Sequence, residues 1–109
     1  MQNLATKDPK LYDKWKLTGL SIYEYLQTHG VYISTYPCTH HKNGMFYAAV
    51  VQCFSQVYYS YYKWQSDDTY KWENKIIHHN EFERTEKELS SATYEQALER
   101  AIDIAFDIF

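Results

Sequence analysis

The stretch that decides the fold is VYYSYYKWQSDDTYKW, residues 57–72, which places five tyrosines and two tryptophans in sixteen positions. Side chains of an extended segment alternate between two faces, and QSDD has the composition of a tight turn. The stretch therefore predicts two antiparallel strands joined by a turn. Both faces of this hairpin carry aromatic side chains, so one set can serve a core while the other set is left over.

The strands on either side complete the predicted sheet. VYISTYP predicts a strand that ends at Pro37, and CTHHKNG predicts a polar loop closed by Asn43 and Gly44. MFYAAVVQCF is apolar on both alternating faces, which is typical of a strand covered on two sides. The connector HHNEFERTEKELSS, residues 78–91, is polar and gives no periodic pattern.

Helices are predicted at both ends of the chain. Pro9 and Gly19 delimit a short first helix, and Ser21 with Glu24 has the spacing of a capping box for a second helix that Gly30 ends. In ATYEQALERAIDIAFDIF, residues 92–109, the capping-box pattern recurs and apolar residues return at helical spacing. That apolar arc comprises Tyr94, Ala97, Leu98, Ala101, Ile102, Ala105, Ile108 and Phe109.

The order of elements predicts an α+β two-layer sandwich. An N-terminal helix, three or four antiparallel strands and a C-terminal amphipathic helix form one domain over residues 1–109. No stretch approaches the roughly 18 consecutive apolar residues of a membrane span. The start of the chain lacks a secretory pattern and there are only two cysteines, so we expect a cytosolic protein without membrane contact.

Charge is distributed unevenly along the chain. Residues 1–80 hold eight lysines and six acidic residues, a balance of +2, whereas residues 81–109 hold eight acidic residues and three basic ones, a balance of −5. Glu99, Asp103 and Asp107 follow one another along the last helix. Solubility explains such a solvated acidic face, and recognition of a basic partner is the functional alternative.

Candidate catalytic and metal-binding residues are few. Cys38, His40 and His41 lie together, and His78 and His79 lie near the end of a predicted strand. Their spacing matches none of the usual zinc patterns, and a lone Cys–His combination is a weak sign of a nucleophile. Nucleotide-binding glycine motifs are absent from the sequence. We therefore expect no metal, no cofactor and no enzymatic activity.

The aromatic hairpin is the strongest candidate for a binding surface. Tyr and Trp are enriched at the centres of protein interfaces because they bury a large area and keep a polar tip. The predicted partner surface comprises Tyr58, Tyr62, Trp64, Tyr70, Trp72, Glu99, Asp103 and Asp107. Packing of these aromatic residues against a helix or a loop explains them nearly as well. Homodimerisation, through the aromatic face or at an edge strand, is a further version of the same hypothesis.

Binding of single-stranded nucleic acid is the alternative hypothesis. Bases stack on Tyr and Trp, and Lys63, Lys71 and Lys75 lie beside the aromatic residues. The isoelectric point near 5.9 and the two arginines, both in the acidic segment, disfavour it because phosphate binding needs positive charge.

Two resemblances follow from this layout. The order of elements resembles that of the double-stranded-RNA-binding domain, but SSATYEQALER carries Glu95 and no lysine where that family places positive charge. Residues 92–109, with their TYEQAL helix, are similar to the C-terminal part of small accessory proteins of Bacteroides-type phages and mobile elements. The second resemblance implies an accessory role in the host cytosol. Inhibition of a host defence or nucleic-acid enzyme by surface contact would suit that role.

Overall fold

A computed structural model describes residues 9–40, 44–87 and 89–108. Two short helices come first, then four strands, a 3₁₀ helix and a long C-terminal helix. In chain order they are α1 (Pro9–Thr18), α2 (Ile22–Thr28), β1 (Val31–His40), β2 (Gly44–Cys53), β3 (Gln56–Trp64), β4 (Tyr70–His78), the 3₁₀ helix (His79–Arg84) and α3 (Tyr94–Ile108). This architecture confirms the predicted α+β class.

The predicted caps of α2 and α3 are present, whereas Asp8, the predicted N-cap of α1, lies outside the described residues. The Ser21 hydroxyl accepts from Glu24 N and donates to the Glu24 carboxylate, both at 3.2 Å. Gly30 follows α2 with a φ of +74°, a conformation that favours glycine. At α3, Thr93 N donates to Gln96 Oε1 at 2.9 Å, and Gln96 N donates to Thr93 Oγ1 at 3.2 Å. Within the described residues, no helix combines the length and the apolar character needed to cross a bilayer.

The four strands form one antiparallel sheet in the order β1-β2-β3-β4. The prediction that the first strand ends at Pro37 is wrong, because pairing continues from Pro37–Tyr47 to His40–Gly44. Tyr47 N donates to Ala92 O, away from β1, so Pro37 and Tyr47 form a pair that exchanges no hydrogen bonds. The nitrogen of Pro37 therefore points to the outer edge of the sheet, where a missing N–H is tolerated.

One face of the sheet packs against α2 and α3. The buried residues of this core include Leu26, Val31 and Val51 together with Ala101 and Phe106. Alanines at 97, 101 and 105 are fully buried and bring α3 close to the sheet. Phe106 belongs to this core although the predicted arc left it out, and Tyr94, predicted on the arc, is 51% exposed. The predicted contact of Phe109 lies outside the described residues.

The opposite face of the sheet is covered by the connector that gave no pattern in the sequence. Phe82 of the 3₁₀ helix packs against Tyr36 and Tyr59, with ring centroids 6.1 Å away in both cases. Lys87 Nζ lies 4.3 Å from the centre of the Phe82 ring and donates to Phe82 O at 2.6 Å. Tyr59 is fully buried beneath this cover. A thin third layer therefore supplements the predicted two-layer sandwich.

The chain passes through the sheet to reach α3. β2 and β3 pair only between residues 49–53 and 56–60 and then separate. Residues 90–92 occupy the opening: Tyr47 N donates to Ala92 O at 2.8 Å, and Ser91 N donates to Tyr62 O at 3.0 Å. The Ser90 hydroxyl accepts from Tyr62 N at 3.0 Å. Since the 3₁₀ helix and α3 lie on opposite faces, this segment is the crossing point.

We predict that Ser90→Ala lowers the free energy of unfolding by about 1–3 kcal/mol, because the buried N–H of Tyr62 loses its acceptor. Urea denaturation followed by tryptophan fluorescence measures the change. Ser91→Ala is the matched control, since Ser91 meets Tyr62 through its backbone and should change stability by less than about 0.5 kcal/mol. Equal effects of the two substitutions would contradict the role of the Ser90 hydroxyl.

Candidate binding cleft

A cleft opens between α3 and the β3–β4 hairpin because α3 covers only part of its sheet face. The helix packs across β1 and β2 and barely reaches β3. The uncovered part of the face belongs to β3 and β4, where the predicted alternation places Tyr62 and Trp72 as direct cross-strand neighbours. The cleft has a volume of about 280 Å³, and its lining residues are Tyr62, Trp72, Gln96, Glu99, Arg100 and Asp103.

Aromatic rings form the sheet side of the cleft, where Tyr62 and Trp72 line it and Tyr70 stacks on Tyr62 from beside it. The ring of Tyr62 lies 5.0 Å from that of Trp72 and 5.2 Å from that of Tyr70, with an interplanar angle of 20° to Tyr70. Trp64 is paired with Tyr70 in the strand register and is 53% exposed. Such offset rings stabilise each other and present a rigid apolar wall.

The turn between β3 and β4 holds this wall in place. Gln65 N donates to Thr69 O at 2.7 Å, which closes the hairpin next to Trp64 and Tyr70. The Thr69 hydroxyl donates to the Asp67 carboxylate at 2.6 Å, and this hydrogen bond lowers the pKa of Asp67. Asp68 takes a φ of +64°, a conformation that Asp tolerates in turns. The predicted turn chemistry of QSDD is confirmed.

Arg100, which lines the cleft, connects α3 to the sheet. Its Nε donates to the hydroxyl of Ser60 at 3.1 Å, and Nη2 donates to Asn74 Oδ1 at 3.2 Å. The guanidinium carbon lies 5.5 Å from the centre of the Trp72 ring, within cation–π range. Ser60 is fully buried, and it is the small residue among the tyrosines of β3. Its position marks the place where the guanidinium contacts the sheet.

Carboxylates form the helix side of the cleft. Glu99 and Asp103 line it, one on each side of Arg100 along α3. In residues 9–40, 44–87 and 89–108, neither carboxylate has a hydrogen bond or an ion pair. The two acidic side chains and Arg100 give the cleft a formal charge of −1 beside an aromatic wall.

The structure thus brings together most of the predicted partner surface. Tyr62, Trp72, Glu99 and Asp103 line the cleft, with Tyr70 and Trp64 beside it. Tyr58 lies elsewhere: it packs against the helix core, and its hydroxyl donates to Gln56 Oε1 at 3.1 Å. Asp107 is exposed on α3 one turn beyond Asp103, outside the lining of the cleft.

Among the described side chains, Cys38 and the histidines at the end of β4 do not converge. Cys38 is buried near the Tyr59 hydroxyl and pairs with Phe46, whereas His78 pairs with Gln56 at the opposite end of the sheet. His78 accepts from Asn80 N at 3.4 Å and so caps the 3₁₀ helix, and His79 also contacts Asn80. The side chain of His40 and all of His41 lie outside the described residues. Within the described part, no three His, Cys, Asp or Glu side chains form a metal-binding group.

Two residues of the cleft were not among the predicted binding residues. Neither Gln96 nor Arg100 is on the predicted apolar arc of α3, and no binding role was predicted for either. The sequence holds one relevant signal for Arg100, which is a single cation within an otherwise acidic helix. Its acceptors, Ser60 and Asn74, are 40 and 26 residues away, so no local pattern could identify the contact.

We predict that Arg100→Lys lowers the free energy of unfolding by about 1–2 kcal/mol, because an ammonium group cannot bond both acceptors while it stacks on Trp72. Guanidinium denaturation measures the change. Arg84→Lys is the matched control, since Arg84 is exposed and, in the part of the chain that the structure describes, donates only to Asn80 O, at 3.3 Å. Equal losses of unfolding free energy in both variants would show that the contribution of Arg100 to stability does not depend on its two hydrogen bonds from one guanidinium.

Comparison of the chain with protein-family models, with curated proteins and with solved structures gives no match.

Proposed function

We propose that this protein is a non-catalytic protein-binding module whose cleft receives a Lys or Arg side chain of a protein partner. The observation that carries this proposal is the position of Glu99 and Asp103 beside Tyr62 and Trp72. A carboxylate attracts a basic side chain, and an aromatic ring adds cation–π stabilisation when the cation lies over its face. The two predicted halves of the partner surface, aromatic and acidic, meet in this one cleft.

The charge of Arg100 does not oppose this proposal. Its guanidinium is held against the sheet by Ser60 and Asn74. Glu99 and Asp103 outnumber it in the lining, so the cleft has a formal charge of −1 and attracts a cation. Interactions of this kind steer a partner and fix its register more than they raise affinity.

The cleft is less suited to single-stranded nucleic acid. Its carboxylates repel phosphate, which supplies most of the affinity in such complexes. This charge pattern supports a protein partner over the alternative.

The proposal extends to the class of partner. Basic surfaces with exposed Lys and Arg are typical of proteins that bind nucleic acid. When a basic side chain of a nucleic-acid enzyme enters the acidic cleft, this protein covers the surface with which that enzyme binds its substrate. We therefore propose an accessory protein of a phage or mobile element that inhibits a host defence or nucleic-acid enzyme in the cytosol. The two cysteines of this chain are free thiols, which suits that compartment.

A titration with a short peptide tests the cleft. The probe is acetyl-Gly-Arg-Gly-amide, and its citrulline counterpart supplies the same shape without charge. We expect the arginine peptide to shift the amide resonance of Tyr62 and the indole resonance of Trp72, and the citrulline peptide to leave both unchanged. Glu99→Gln with Asp103→Asn should weaken binding about tenfold.

Glu81→Gln with Glu83→Gln is the control, because it removes the same charge from the opposite face of the sheet. The control should bind the arginine peptide like the unmodified protein. Equal responses to arginine and citrulline would contradict the proposal, as would equal weakening by both double substitutions. Salt-dependent binding of an oligothymidine probe at Trp64 and Tyr70 would favour the nucleic-acid alternative instead.

A further inference from the structure

The outer edge of β4 offers a row of backbone groups to another strand. Tyr62 N and O bond to Ser90 and Ser91, away from β4. Opposite residues in antiparallel strands alternate between pairs that exchange hydrogen bonds and pairs that do not, so Tyr62 and Trp72 form a non-exchanging pair. The N–H and C=O of Trp72 therefore point outward. By the same alternation, so do those of Asn74 and Ile76.

Charged side chains at a sheet edge usually oppose strand pairing, and β4 carries Lys71, Glu73 and Lys75, but this edge lacks the other common obstacles. β4 pairs with β3 through nine consecutive residues without a bulge, and it contains neither proline nor glycine. Among the described residues, none forms a hydrogen bond with the outward N–H and C=O groups of Trp72, Asn74 or Ile76. The other edge differs, because Pro37 removes an outward N–H from β1. The pairing-competent edge is therefore β4.

We propose that two copies of this chain pair through their β4 strands, antiparallel, with Asn74 on the two-fold axis. Asn74 is the middle residue of Tyr70–His78, so this register pairs the whole strand with its copy. A two-fold axis perpendicular to the sheet keeps each face continuous, and the two four-stranded sheets become one of eight strands. The proposal goes beyond the cleft and its ligand, and it names a second copy of the chain as the partner of this edge.

The side chains favour this register. Glu73 lies opposite Lys75 of the second copy, and Lys75 lies opposite Glu73 of the second copy. Each charged side chain therefore faces one of opposite charge. On the other face, Trp72 lies opposite Ile76 of the second copy. Ile76 is 63% exposed in the single chain, and pairing places it beside the indole ring that forms the cleft wall. Centring the pair on residue 73 or 75 would instead place two glutamates or two lysines together.

A further register, centred on Trp72, also places opposite charges together, because Lys71 then lies opposite Glu73. It pairs only residues 70–74 and leaves Ile76 outside the ladder. The register centred on Asn74 uses more of the edge and covers the exposed isoleucine. The two registers make different predictions for Lys75, which meets Glu73 only in the first.

Cross-linking locates the axis. Opposite residues that exchange hydrogen bonds have Cα atoms about 5.5 Å apart, within the range of a disulfide. Asn74→Cys should therefore give a disulfide-linked dimer under mild oxidation. Lys71→Cys is the control, because its copy lies about six residues, or roughly 20 Å, along the strand. The native Cys38 and Cys53 are buried and common to both variants. Cross-linking of Lys71→Cys alone, or of both variants equally, would overturn the register.

Charge exchange tests the same pairing by mass. Sedimentation equilibrium should show a dimer for the unmodified protein, and Glu73→Lys or Lys75→Glu should each weaken it about tenfold. The double variant restores opposite charges across the axis and should recover the dimer, although Lys75→Glu also removes the bond from Lys75 to Glu86 O. A monomer at every concentration, or a double variant as weak as the single ones, would overturn the proposal. Peptide binding by such a monomer would leave the cleft proposal standing.

Discussion

The passage of the chain through the sheet is the constraint on which the rest of the structure depends. Where β2 and β3 separate, their facing backbone groups would be buried without partners, at a substantial cost for each. Residues 90–92 supply those partners on both sides, through Ala92 O toward Tyr47 and through Ser90 and Ser91 toward Tyr62. Ser90 and Ala92 are fully buried, so the opening admits only small side chains. The small side chains of Ser90 and Ala92 therefore match the narrow opening that they occupy.

The crossing also fixes the cleft. α3 begins at Tyr94, two residues after the buried Ala92, so its start is held above the opening between β2 and β3. Ala97 and Ala101 then allow the helix to lie close on β1 and β2. The β3–β4 hairpin extends beyond the reach of these short side chains. Arg100 spans the remaining distance, and it leaves open space on either side where Glu99 and Asp103 stand.

Local patterns in the sequence predicted the local structure well. Capping residues, helical spacing and alternation identified α2, α3 and the β3–β4 hairpin, because each of these signals acts within a few residues. Long-range features could not be predicted. The continuation of β1 through Pro37 depends on which partner groups face outward, and the cover formed by Phe82 depends on where the 3₁₀ helix folds back. The aromatic and acidic residues of the cleft were both among the predicted binding residues, whose role stays a prediction, whereas their meeting at Arg100 depends on contacts across 40 and 26 residues.

On each face of the aromatic hairpin, the residue that packs over the aromatic rings determines whether those rings belong to the core or to the surface. Tyr59 and Tyr62 are three residues apart on one strand, and both rings lie in aromatic clusters. An apolar ring, Phe82, covers Tyr59, which is fully buried with its hydroxyl 3.7 Å from Cys38 Sγ. A guanidinium covers the Tyr62 side, and a charged group needs hydrogen-bond acceptors and stays near water. Arg100 therefore joins helix to sheet without sealing the space between them, and the aromatic wall on that side stays accessible beside Glu99 and Asp103. A Leu or Phe at position 100 would extend the core over Tyr62 and Trp72 and remove the cleft.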